Sequence, residues 1–200
     1  MRPNERGFTL IELLVTLGIL AVITTAFYQL MLSGTRASNV TRNVVRVSEE
    51  ARLGLNRLVR DTREAVYLEN PTATSYTAAI DFDGDGVIET HNGIDYERIT
   101  FGFDGSAITI EVQNRPAVTL VQGVSQIGSI PVFQYSSNKL EHDTNADGVT
   151  TLAELDAAAA QGATLGDTTL LLGEVSFTFR VTSGDSTTDF YSKSTMRNIR

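Results

Sequence analysis

The sequence predicts an α+β fold in which one long N-terminal helix leads into a domain of antiparallel strands. Three observations carry that expectation. Phe8 to Leu32 is an apolar run with a single charge, Glu12. Beyond it, apolar residues recur at helical spacing as far as Ala65. After Pro71, Thr, Val, Ile, Phe and Gly become frequent and apolar residues alternate with polar ones, the period of strands. A helix followed by a run of strands argues for a helix laid on a sheet, not for alternating β-α units.

The apolar run comes first. As a helix it is roughly 37 Å long at the usual rise per residue, enough for a bilayer core of about 30 Å. The preceding residues 1–7 form a short leader carrying Arg2 and Arg6. Positive charge there favours a cytoplasmic leader and an exported C-terminal part. A secretory signal peptide has a shorter apolar core and a small-residue cleavage site. Here the chain runs on as "LSGTRASNVTRNVV". A plain membrane anchor has no use for Glu12, because a carboxylate in lipid is costly and intramembrane ionisable groups usually have a partner.

The stretch "RGFTLIELLVTLGILAVI", residues 6–23, resembles the class III signal of type IV pilins and type II secretion pseudopilins. The resemblance implies that a prepilin peptidase cuts after Gly7 and methylates Phe8. It implies an assembly role for Phe8 and Glu12: the new Phe8 amine of one subunit lies near the Glu12 carboxylate of its neighbour. Both groups are poorly solvated in a bilayer, so each compensates the other's charge. The implied partners are other pilin or pseudopilin subunits, the prepilin peptidase, the inner membrane and its assembly platform. The implied location is the bacterial inner membrane, single-pass, with later residence in a periplasmic or extracellular filament. A pilin-like fold is the matching expectation, with residues 8–32 as its transmembrane and assembly half.

Residues 33–70 form the amphipathic half. "SGTRAS" lowers helix propensity and reads as a flexible point. Val40, Val44, Val47, Ala51, Leu55, Leu58, Thr62 and Ala65 then make a helical stripe. Arg42, Arg46, Glu49, Arg52, Arg57, Arg60 and Arg63 occupy the other faces. Interleaved acids favour a solvated face over a DNA-binding one, with local pairs such as Arg46/Glu50 and Arg60/Glu64. Asn70-Pro71 supplies a stop, so a single helix from Phe8 to about Leu68 is expected.

Residues 71–200 read as a β-rich globular domain. Arg98–Phe103 and Ala107–Val112 form a hairpin around Asp104-Gly105. Ala117–Val121 and Val132–Tyr135 are further short strands. A longer one places Val175, Phe177, Phe179 and Val181 on one face, and Gly184-Asp185 turns it into a last strand. "YERITF" (96–101) and "MRN" (196–198) are similar to segments of PilW-type minor pilins and J-type minor pseudopilins.

The chain has 200 residues, a net charge of −8 and no Cys. Residues 71–200 hold seven basic and seventeen acidic side chains. That balance argues against a general nucleic-acid binder. Without Cys there is no disulfide, thiolate metal site or cysteine nucleophile.

Two acidic loops carry the remaining chemistry. "DTNADGVTTLAE", Asp143 to Glu154, fits the twelve-residue calcium loop. Asp143, Asn145 and Asp147 supply side-chain oxygens, Gly148 the sharp turn and Val149 a carbonyl. Thr151 acts directly or through water, and Glu154 binds bidentate. Hard oxygen donors favour calcium over transition metals, and "LAELDAAAAQG" supplies a following helix. Thr150 replaces the usual apolar residue, and no helix precedes the loop, so a solitary loop inserted in the sheet domain is expected. In "DFDGDGVIETHN", Asp81, Asp83, Asp85, Val87 and Glu89 fit the same pattern. Asn92 stands where Glu is wanted, so the site is expected to be weaker unless Asp95 or Glu97 folds back; the alternative is a plain turn between strands.

His91 and His142 border these loops without a nucleophile motif, so no enzyme is expected. The expected function is a minor pilin or minor pseudopilin at the tip or in the priming complex of a type IV pilus or type II secretion pseudopilus. The alternative is a calcium-dependent tip binding module, an adhesin or DNA receptor. A tethered ectoenzyme is a third class.

Overall fold

A computed structural model describes residues 9–89, 97–112, 115–137, 140–165, 167–184 and 186–197. The chain divides into two units, Met1–Asn43 and Val44–Arg200.

Helix α1 spans Leu10–Glu64. In the first unit its apolar side chains, from Leu10 to Leu32, are exposed to the surroundings. The threonine hydroxyls within this stretch bond back to the helix backbone. Thr16, Thr24 and Thr25 donate to the carbonyls of Leu13, Leu20 and Ala21. Ser33 and Thr35 do the same to Leu30 and Leu32. "SGTRAS" therefore continues the helix where the sequence predicts a weak point, its Ser33 and Thr35 hydroxyls turned back onto the preceding turn.

In the second unit the helix buries Ala51, Gly54, Leu58, Asp61 and Thr62, with Val47 and Leu55 partly covered. Gly54 is there for proximity. A Cβ on it would lie 2.3 Å from Val121 Cγ2 and 3.2 Å from the Leu120 carbonyl oxygen. Asp61 breaks the apolar stripe; Arg57 and Arg60 reach it through their Nε atoms at 3.3 and 3.0 Å.

The helix ends at Glu64, four residues before the expected Leu68. Val66 N–H donates to the Ala79 carbonyl instead, and Tyr67–Glu69 become strand β1. An aromatic and a β-branched residue at this point favour extension, and pairing with the sheet decides it.

Strands β1, β2 (Ser75–Ala79), β3 (Arg98–Phe103), β4 (Ala107–Val112) and β5 (Val118–Gln122) form an antiparallel sheet in chain order. A second sheet is built from β6 (Val124–Ser125), β7 (Phe133–Ser137), β8 (Thr150–Thr151), β9 (Glu174–Ser183) and β10 (Ser186–Thr195). Its order is β10-β9-β7-β8, with β6 also on β9. Gly123 passes the chain between sheets at φ +69°, so close to Thr182 that a Cβ would sit 2.9 Å from its carbonyl oxygen. The expected strands are present. β1, β2, β6 and β8 are additional, all five residues or fewer.

The core joins the two sheets. Tyr76 and Phe101 of the first meet Phe133, Tyr135 and Phe177 of the second, with Tyr76 ring centroids 5.1–6.4 Å from each of the other four. Thr62 of α1 hydrogen-bonds the buried Tyr76 hydroxyl at 2.7 Å. Val175, Phe177, Phe179 and Val181 are all buried, as their alternation predicts.

Candidate functional site

The N-terminal segment and the two acidic loops are the places where chemistry-bearing residues gather. Glu12 lies in the first turn of α1, its N–H donating to the Thr9 carbonyl at 3.1 Å. Among residues 9–35 it is the only charged side chain. The helix around it is long and apolar enough to cross a membrane. Gly7 and Phe8 lie outside the described residues.

The two loops have the same internal frame. Asp81 Oδ2 accepts from Gly86 N–H at 2.9 Å, and Asp143 Oδ2 from Gly148 N–H at 2.8 Å. Two residues on, Asp83 accepts from Asp85 N–H at 3.1 Å and Asn145 from Asp147 N–H at 2.9 Å. Two further on, Asp85 accepts from Val87 N–H at 2.7 Å and Asp147 from Val149 N–H at 2.8 Å. Gly86 and Gly148 both have φ +85°. The residue three after the first Asp is left-handed in each, Gly84 at φ +82° and Ala146 at φ +58°.

The closing carboxylate completes the match. Glu154 Oε1 accepts from Thr144 N–H at 3.1 Å and Oε2 from Thr151 N–H at 2.9 Å. In the first loop Glu97 takes that place. Its Oε1 accepts from Phe82 N–H at 2.9 Å and its Oε2 from Glu89 N–H at 2.8 Å. Phe82 and Glu89 hold the same positions relative to Asp81 as Thr144 and Thr151 hold relative to Asp143. Glu97 is only 4% exposed, and its carbonyl oxygen accepts from Ile80 N–H. Asn92 and Asp95 lie outside the described residues, as do His91 and Tyr96.

The loops differ in how their donors converge. Among the described residues only Asp81, Asp83 and Asp85 form a cluster of three carboxylates, with ligand oxygens within 4.8 Å of one another. The second loop has Asn145 at the middle position, whose Nδ2 donates to Asp147 Oδ2 at 3.0 Å. Glu154 there is also the N3 residue of helix α2 (Leu152–Ala160) and forms a capping box with Thr151. Thr150, at the position where apolar residues are usual, is buried in β8 and pairs with Ser137 of β7. The loop therefore docks on its own sheet, and among the described residues a 3-10 turn at Leu140–His142, not an α-helix, precedes it.

Electrostatics follow the hydrogen bonds. Donation from the Thr151 N–H, then the Thr144 and Thr151 hydroxyls, holds Glu154 down at about 2. Desolvation works against ionisation of Asp81, yet N–H donation from Gly84 and Gly86 carries it below the ordinary carboxylate range. One carboxylate in each loop, Asp81 and Glu154, is thus held in its anionic form. All their side-chain donors are oxygen, a set that suits a hard cation. His142 Nε2 is buried without a hydrogen bond; Glu141 Oε1 is 3.4 Å away without hydrogen-bonding geometry.

Residues 2–28 match the family described as the prokaryotic N-terminal methylation motif, the class III signal of type IV pilins. The chain matches no curated protein and no solved structure. The motif and the helix-on-sheet architecture behind it support a pilin- or pseudopilin-like subunit, a structural class. The matched segment stops before the residues similar to PilW-type and J-type subunits, of which Tyr96 and Asn198 lie outside the described residues.

Proposed function

We propose that this chain is a minor pilin or minor pseudopilin that assembles through α1 into a type IV pilus or type II secretion pseudopilus, at the tip or in its priming complex. The observation that carries the reading is the methylation motif at residues 2–28, with Glu12 as the lone charge of the apolar helix. Prepilin peptidase removes residues 1–7 and methylates Phe8. The Phe8 amine then meets Glu12 of a neighbouring subunit, which fixes register in a medium where neither charge is well solvated. Mass spectrometry of the mature N-terminus tests this. Methylated Phe8 is the expected result, and an intact Met1 would sink it.

The matched loop frames favour a second reading, in which calcium braces the soluble domain and a tip-binding face. Asp143, Asn145, Asp147, the Val149 carbonyl, Thr151 and Glu154 hold one ion. Asp81, Asp83, Asp85, the Val87 carbonyl, Glu89 and Glu97 hold the other. Bound calcium neutralises clustered carboxylates in a chain without disulfides and stabilises by mass action. Calcium titration of the full chain in detergent tests it, read as the calcium-induced rise in Tm. Glu97→Gln and Glu154→Gln should each remove part of that rise. An identical Tm with calcium and with chelator would rule the reading out.

A further inference from the structure

The end of the apolar span carries an arginine pattern that neither reading uses. Residues 33–48 contain Arg36, Arg42 and Arg46 and no acid. Arg46 pairs with Glu50 at 3.7 Å. Arg36 and Arg42 are exposed and have no ion pair among the described residues. Both belong to the first unit, with the span itself.

Their placement is set by helix geometry. Arg36 and Arg42 lie roughly 6 and 15 Å beyond Leu32 along α1. Cα–Cβ bonds on a helix tilt toward its N-terminus, so both long arginine side chains are able to reach back toward the apolar segment. They stand six positions apart, which puts them about 120° apart around the axis. A groove on one protein partner meets a single stripe of a helix. Two arginines on different faces at the edge of a span suit a surround, and guanidinium matches phosphate oxygens in geometry and charge.

We infer that Arg36 and Arg42 form a collar that selects anionic phospholipid headgroups around the C-terminal end of the span. The inference rests on the reading of Leu10–Leu32 as membrane-embedded. Charge complementarity commits the surface to lipid phosphate carrying a net negative charge. Electrostatic attraction supports at most about fivefold enrichment per arginine, weakened by salt.

The test uses the full chain reconstituted in vesicles of phosphatidylcholine and phosphatidylglycerol, with spin-labelled lipids reporting which headgroup lies against the protein. The wild type should favour phosphatidylglycerol by roughly two- to fivefold, and less at high salt. Arg36→Gln with Arg42→Gln should bring that preference close to unity. Equal association of both lipids with the wild type overturns the collar, as does a preference unchanged in the double variant. An acidic neighbouring subunit as the true partner would give equal lipid association and variant-sensitive subunit cross-linking, which also overturns it. Alkaline extraction of the same vesicles separates the two ideas: a chain released by carbonate defeats the membrane reading itself, while a retained chain without lipid preference defeats only the collar.

Discussion

The two acidic loops share a frame but are closed by different means. In the loop that starts at Asp143 the closing carboxylate is Glu154, eleven residues on and seated in the first turn of α2. In the loop that starts at Asp81 it is Glu97, sixteen residues on, buried at the entrance to β3. One loop is closed by local helix capping, the other by the pairing of the chain around Ile80 with Glu97. In both loops the closing carboxylate satisfies the amides one and eight positions after the first Asp. The count of residues between the ends is secondary.

Removing each closure should reveal the difference in anchoring. Glu97→Gln leaves one acceptor oxygen for two N–H donors, with an amide NH2 facing one of them. We expect a loss of about 2 kcal/mol in metal-free protein, measured by denaturant unfolding. A loss no greater than that for Glu154→Gln would show that burial in the sheet adds nothing. The shared frame is tested at its glycines. Gly86→Ala and Gly148→Ala each place a Cβ at φ +85°, and each should cost about 1 kcal/mol. Unequal costs in calcium-free buffer would break the equivalence of the loops. Ala146→Gly relieves a left-handed alanine and should gain roughly half a kcal/mol, seen as a higher denaturant midpoint.

The smallest effect is an acid limb. The folded-state pKa of Glu154 lies near 2, below its ordinary value of 4.5. Its contribution is therefore complete above about pH 4.5 and is lost as pH falls toward 2. Stability measured across that window should fall less steeply in Glu154→Gln than in the wild type. Identical slopes would mean that the Thr144 and Thr151 bonds do not hold the carboxylate in solution.

The same contrast explains what was legible in the sequence. The frame of the second loop could be read because its patterned residues, from Asp143 to Glu154, lie in one contiguous stretch and the helix after it starts on cue. The first loop read as open, since Asn92 occupied the expected closing position. Glu97 was one of two candidates for folding back, and only β-pairing singles it out. The long helix was legible from its stripe, but its end was not: Val66 and Tyr67 leave the helix because Ala79 and β2 are there to receive them. Buried Asp61 and Gly54 were missed for a related reason. A periodic pattern marks which face is inward without showing how close the neighbour comes or which arginines cover an acid.

Gly54 has a consequence for polymerisation. β5 is an outer strand of the first sheet, with Val118 63% exposed, and such strands invite pairing with other chains. The missing side chain at Gly54 lets the helix backbone lie against the Leu120 carbonyl. The molecule's own helix thus shields part of the border along which stray copies would stack. Under the proposed assembly through α1 that protection matters, because growth by sheet extension would compete with ordered growth. Gly54 is in that sense a guard against the wrong kind of fibre.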